Sequence, residues 1–180
     1  MSDHPAPNFE PDGAVEDCRL FRWRSMLLAV HWHAFRIEHF DLIGEACERI
    51  RDDEGTMTSV VVTRGSFSFM LDAEGRQAGV DLTARCEPFN RGQAMIIDVI
   101  GFKGSLLRSM LAGVNLVARS KAPQKVFSQV GPAARWLCEL EAQPGYVRDQ
   151  AQSVAVTLEA LVTSLPLVRP QRARADADGP

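Results

Sequence analysis

Apolar positions along this chain fall into two kinds of pattern, helical spacing and short continuous runs, and their alternation predicts an α/β sheet. Phe40, Ile43, Cys47 and Ile50 recur at helical spacing and predict a first helix entered near His39 or Asp41 and ended by the acidic run RDDEGT. Thr58 to Thr63 holds three consecutive valines, the mark of a strand covered on both faces, and is the expected centre of the sheet. Leu71, Ala78, Leu82, Cys86 and Phe89 can share one side of a second helix, within which Gly75 and Gly79 each cost about 1 kcal/mol relative to alanine. Ala94 to Ile100 is a further apolar strand, interrupted by Asp98 and closed by Gly101. Leu107, Met110, Leu111, Val114 and Val117 form a helical stripe that Pro123 stops, Lys125 to Ser128 reads as a short strand, and Ala133, Trp136, Leu137 and Leu140 mark another helix. Beyond Pro144 and Gly145, a last helix over Val147 to Thr163 gathers Val147, Ala151, Val154, Leu158, Leu161 and Val162 on an apolar face.

Upstream of these elements, Arg19 to Trp23 and Ser25 to Trp32 are rich in strand-forming residues, with Arg24 and Ser25 as a tight connection for an antiparallel pair. The order is therefore β, β, α, β, α, β, α, β, α with one helix appended. It predicts a mixed, mostly parallel sheet with an antiparallel N-terminal edge, about four packing helices and an appended C-terminal helix. Residues 1–17, proline-bearing and acidic with no apolar periodicity, are expected to be a disordered leader. Residues 18–142 are the α/β domain, 146–164 the appended amphipathic helix, and 165–180 a disordered tail. The appended helix either covers one face of the sheet or docks on a second subunit of a homodimer.

Composition narrows the class. The chain has 180 residues, 46% of them hydrophobic and 24% charged, enough for a core that requires neither metal nor disulfide staples. A net charge of −3 supplies no basic field for nucleic acid or an anionic membrane. No apolar run reaches the roughly 18 residues of a membrane span, and the acidic start is the opposite of a secretory signal. Cys18, Cys47, Cys86 and Cys138 are widely separated, without a CxxC pair, and read as buried free thiols of a cytoplasmic protein.

The segment GFKGSLLRSMLAGVNLVAR followed by PQKVFSQVGPAARWL packs helix, strand and helix into consecutive signals. It resembles the third helix, last short strand and final helix of stand-alone STAS-like bacterial proteins (sulfate transporter and anti-sigma factor antagonist), which are also grouped with CRAL-TRIO-like folds. The resemblance covers roughly Arg19 to Leu140. A second point of contact is SFMLDAEG, Ser68 to Gly75, which is similar to the loop before the second helix where antagonist-type STAS domains carry a phosphorylated serine. Asp72 and Gly75 match that pattern, whereas Ala73 and Glu74 replace its serines and Leu71 is extra. The phosphorylation switch is thus not carried over. Glu74 supplies either a fixed charge in its place or an ordinary first-turn acid favoured by the helix dipole. The resemblance implies a non-catalytic protein-interaction module of a bacterial signalling or regulatory assembly, with another protein as partner. The CRAL-TRIO grouping implies the alternative, a small-molecule or lipid carrier.

Ligands of open α/β sheets collect beyond the carboxyl ends of the parallel strands. The loops after His33, Val62 and Ile100 share that end, and Ser66, Phe67, Ser68, Asp72, Glu74, Phe102, Lys103 and Ser105 form the candidate partner-binding surface. Within it, GFKGS is the nearest approach to an anion-binding turn, but it reads first as a glycine-permitted strand-to-helix turn capped by Ser105. His31, His33 and His39 are the candidates for a metal, but with Trp32, Phe35 and Phe40 around them they read as a packed rim making ordinary hydrogen bonds. No cofactor and no metal are assigned. The sequence holds no GxSxG elbow, P-loop or dinucleotide fingerprint, so no nucleophile, base and orienting group assemble into an enzyme.

Overall fold

The computed structural model describes residues 5–32, 35–64, 73–98 and 121–166. Six strands form one sheet: β1 Glu10–Val15, β2 Cys18–Trp23, β3 Met26–His31, β4 Met57–Arg64, β5 Asn90–Asp98 and β6 Gln124–Phe127. Their spatial order is their chain order, antiparallel from β1 to β3 and parallel from β3 to β6. The helices among the described residues are α1 Ile37–Glu54, α2 Ala73–Cys86, α3 Val130–Cys138, the single turn α4 Gly145–Arg148, and α5 Ala151–Ser164. The expected α/β class with an antiparallel N-terminal edge is the observed one. The expected helix around Leu107 to Val117 lies outside the described residues.

This strand order dictates where the helices go. Parallel strands added always on the same side, with crossovers of one hand, place their connecting helices on one face. Accordingly α1, between β3 and β4, and α2, between β4 and β5, pack against each other on one side, while α3 and α5 follow β6 and pack together on the other. The strand alternation supplies both cores. Met26, Leu28 and Val30 of β3 and Val60 and Val62 of β4 join Ala133, Leu137, Val154 and Leu158 of α3 and α5. Leu27 and Ala29 point the other way, to Ala46, Cys47 and Ile50 of α1 and Cys86 at the end of α2. The appended helix therefore covers a face of the sheet, and its last turn is tied to β4. Arg64 Nη1 donates to the carbonyls of Val162 and Leu165, each at 2.9 Å, which satisfies acceptors that the helix end leaves open.

Two local expectations are corrected. Residues Glu10–Val15, expected within the disordered leader, form the edge strand β1, joined to β2 by the turn at Glu16 and Asp17. An edge strand is paired on one side only, tolerates Pro11 and a bulge between Pro11 and Gly13, and needs little apolar alternation. Its anchors lie elsewhere. Phe9 is buried beside Trp23, and Arg49 of α1 reaches Asp12 at 3.2 Å. The run RDDEGT ends α1 as expected: RDDE forms its exposed last turn, and Gly55 stops the helix at φ 71 with its N–H on Arg51 O at 2.8 Å. A left-handed residue after the last turn is the position glycine occupies without a Cβ penalty. The second correction is that the last helix is two pieces, with buried Val147 on α4 and the remaining apolar positions on α5.

Candidate functional site

The parallel strands β3, β4 and β5 run in register, His31 opposite Thr63 and Thr63 opposite Ile97, so their carboxyl ends lie together. Beneath that end sits a polar cluster drawn from three places: Asp17 and Cys18 at the β1–β2 turn, His31 at the end of β3, and Arg36 and His39 at the start of α1. The turn holds Asp17 in place through its backbone, whose carbonyl accepts the Trp32 N–H at 3.1 Å and extends the β2–β3 ladder past Cys18 and His31. Its carboxylate, 5% exposed, accepts from Arg36 Nη2 at 2.6 Å and His39 Nε2 at 2.7 Å on the same oxygen, Oδ1. Burial alone would raise the Asp17 carboxyl, but the Arg36 and His39 donors outweigh it and hold it below the usual carboxylate range.

His39 is oriented from both sides of its ring. The backbone N–H of Arg36, the residue before α1, donates to His39 Nδ1 at 3.2 Å, which satisfies one of the open donors of the helix start. That bond leaves Nδ1 without a proton and assigns the proton to Nε2, which donates it to Asp17. His31 is fully buried, with its ring 4.3 Å from Phe35 and 5.3 Å from His39. Its Nε2 lies 3.9 Å from Cys18 Sγ, and its Nδ1 has no hydrogen-bond partner among the described residues. Burial, then the neighbouring His39, lowers the His31 imidazole to about 3. Burial, then the Asp17 charge, pushes the Cys18 thiol up to about 12.

Thiol, imidazole and carboxylate thus lie within one cluster, yet the connections are not those of an activated nucleophile. A working set needs a thiolate within reach of a basic imidazole that a carboxylate orients. Here the carboxylate serves His39 rather than the imidazole beside the thiol. At neutral pH Cys18 stays protonated and His31 stays neutral. The arrangement is a rigid, charge-balanced support beneath the carboxyl ends of the strands.

The support continues sideways to α2. Phe35 stacks on Phe40 of α1 at 5.6 Å, and the Phe40 ring lies against Gly79, where an added Cβ would come within 3.5 Å of it. This contact occupies the face of α2 that Gly79 leaves bare. Glu74 is exposed in the first turn of α2. Ser66, Phe67, Ser68, Asp72, Phe102, Lys103 and Ser105 lie outside the described residues, as does His33. The structure brings His31 and His39 together, but as hydrogen-bonded core residues, and no group of three or more metal-ligating side chains occurs among the described residues.

Asp17 and Arg36 were missed by sequence reasoning. Asp17 belonged to the segment read as a leader, and only its place directly before the strand-forming CRLFRW hints that it turns into the sheet. Arg36 and His39 stand three apart, the spacing at which a helix-start residue and the third residue of the helix exchange bonds, but histidine is not the usual residue there.

The fold and its internal cluster define the class, a mixed-sheet α/β domain with a buried polar support under one end of its parallel strands. Among solved structures, the chain is similar to an uncharacterised protein of the DUF3478 family with a SpoIIAA-like fold, from Shewanella loihica PV-4. The two share 15% identity at a TM-score of 0.48, over 77% of this chain and 99% of that one. No protein-family model and no curated protein matches the chain. None of the helices among the described residues is long and apolar enough to cross a membrane.

Proposed function

We propose that this chain is a non-catalytic protein-interaction module of a bacterial signalling or regulatory assembly in the cytoplasm. It binds its partner through the loops at the carboxyl ends of the sheet strands. The observation that carries this reading is the polar cluster under that end. Its Asp17 carboxylate is committed to Arg36 and His39, and its thiol and buried imidazole are held uncharged. Such a cluster fixes the geometry of what stands on it and offers no reactive group of its own. The partner surface comprises Ser66, Phe67, Ser68, Asp72, Glu74, Phe102, Lys103 and Ser105, with Glu74 as a permanent charge where the resembling loops carry a modifiable serine. The STAS-like resemblance of SFMLDAEG supports a protein as the partner.

The test is affinity capture from native lysate with intact protein and with a Glu74→Lys, Lys103→Glu variant, followed by native mass spectrometry. A stoichiometric protein held by the first and lost by the second, at equal unfolding midpoints, is the expected result. A lipid or other small molecule carried by protein without a partner would replace this reading with that of a carrier.

A further inference from the structure

Away from the polar cluster, α1 and α2 bring two more thiols together. Contacts on either side bracket the pair. Arg85 of α2 meets Glu48 of α1 at 3.0 Å, and its guanidinium lies over Gly44, where an added Cβ would come within 2.6 Å of it. Three residues beyond Cys86, the Phe89 ring receives the Arg51 guanidinium of α1 at 5.8 Å. The last turn of α2 and its exit therefore run along α1 from Gly44 to Arg51, which sets Cys86 against Cys47. Both thiols belong to the same apolar cluster, Cys47 2% and Cys86 7% exposed, and each perturbs the protonation of the other.

We propose that Cys47 and Cys86 are a redox-active dithiol, which a peroxide converts into an intramolecular disulfide joining α1 to α2. Cys86 is the attacking group. The neighbouring Cys47 thiol lowers the Cys86 thiol, and the Arg85 guanidinium adds to that against the opposing effect of burial. The neighbouring Cys86 thiol, followed by burial, pushes the Cys47 thiol up. Cys86 also ends α2 and is the more exposed of the two thiols, 7% against 2% for Cys47. In the first step the Cys86 sulfur, having given up its proton, attacks one peroxide oxygen. The O–O bond breaks, Cys86 becomes a sulfenic acid, and the departing hydroxide takes up that proton to leave as water. In the second, the Cys47 sulfur attacks the Cys86 sulfur, the S–O bond breaks, and the hydroxide leaves with the Cys47 proton as a second water. Two thiols and one peroxide thus give one disulfide and two waters. Cys18 and Cys138, each pushed up to about 12 chiefly by burial, remain outside the reaction.

The experiment treats the folded chain with hydrogen peroxide, removes the peroxide, blocks the remaining thiols with an alkylating agent in denaturant and maps the peptides without reduction. The expected product is one linked pair containing Cys47 and Cys86, a mass loss of two hydrogens in the monomer, reversal by dithiothreitol, and alkylation at Cys18 and Cys138 alone. The Cys18→Ala, Cys138→Ala variant retains the link, and Cys86→Ala loses it. Cys47 and Cys86 both recovered in alkylated or over-oxidised form, or a link that joins two chains or any other pair, would overturn the proposal. Because the decisive map is made on the unaltered chain, the outcome stands whether or not the variants fold.

Discussion

The two faces of the sheet are built from alternate residues of the same strands, yet they are different materials. On the α3–α5 face, Leu28, Val30, Val60 and Val62 meet Trp23, Trp32, Leu137 and Leu158 in a continuous apolar layer. On the α1–α2 face the helices present Ala46, Cys47 and Cys86, and toward the carboxyl ends of the strands the layer turns polar, with His31, Thr63, His39 and Asp17 all buried. Apolar packing dominates the first face, and its contribution does not depend on protonation. The second face spends burial on polar groups, whose partners and charge states must be kept. The face that could most easily have been filled with leucine instead positions the start of α1, the β1–β2 turn and, through Phe40 and Gly79, α2.

The largest effect separating the faces is expected for Leu158→Ala. This fully buried side chain lies on the apolar face, so its loss should cost about 3 kcal/mol of stability, with the same cost at pH 7 and pH 5 in urea unfolding. A cost that varied with pH would mean that the apolar face is coupled to titrating groups.

Asp17→Ala should cost about 2 kcal/mol, since it strands the His39 N–H and removes a charge-assisted bond to a partly exposed Arg36. Its folded pKa is lowered, so this contribution is present above the ordinary carboxylate range near 3.8 and is lost as pH falls through the lower folded value. The penalty of the variant should therefore hold constant from pH 7 to about 5 and shrink only below about 4. A penalty that already shrinks above pH 5 would show that Arg36 and His39 do not hold the carboxylate.

His31→Leu tests the opposite half of the cluster. The folded imidazole is lowered from 6.5 to about 3, so above pH 6.5 both folded and unfolded chains are neutral there and it adds no pH dependence. As pH falls from 6.5 toward 3, the unfolded chain takes up a proton that the folded chain refuses, and stability drops by up to about 1.4 kcal/mol per pH unit. The leucine variant should lack this component, so its stability curve should be flatter than that of the native chain between those values. Parallel curves would mean that His31 titrates alike in both states.

The smallest effect is a gain. Gly79→Ala places a methyl group at ordinary contact distance from Phe40 and should stabilise the chain by about 0.5 to 1 kcal/mol through helix propensity. Destabilisation would show that the Phe35–Phe40 stack needs bare backbone at this point.

The differences between the faces also explain what could be read from the sequence. β4 was visible because both faces bury it and its valines run unbroken, and α3 and α5 because their apolar stripes meet an apolar layer. β1 was hidden, since an edge strand carrying Pro11, Asp12 and Gly13 is stabilised by pairing with β2 and by Arg49 rather than by its own pattern. The polar cluster was half visible. His31 and His39 stood out, but their partners Asp17 and Arg36 come from a turn and a helix start whose meeting depends on β1 being a strand. Glu74, the described member of the candidate surface, is exposed in the first turn of α2, the position that its place after the SFMLD stretch implied.

On the proposed function, a partner binds at the end of the sheet that this cluster supports. The measurement that tests it most directly is amide hydrogen exchange on the captured complex compared with the free chain. The account predicts new protection confined to residues 65–76 and 99–106, with His39 and the β1–β2 turn equally protected in both states. Protection at the opposite end of the strands, around Glu87 to Arg91 and Lys121 to Pro123, would contradict it.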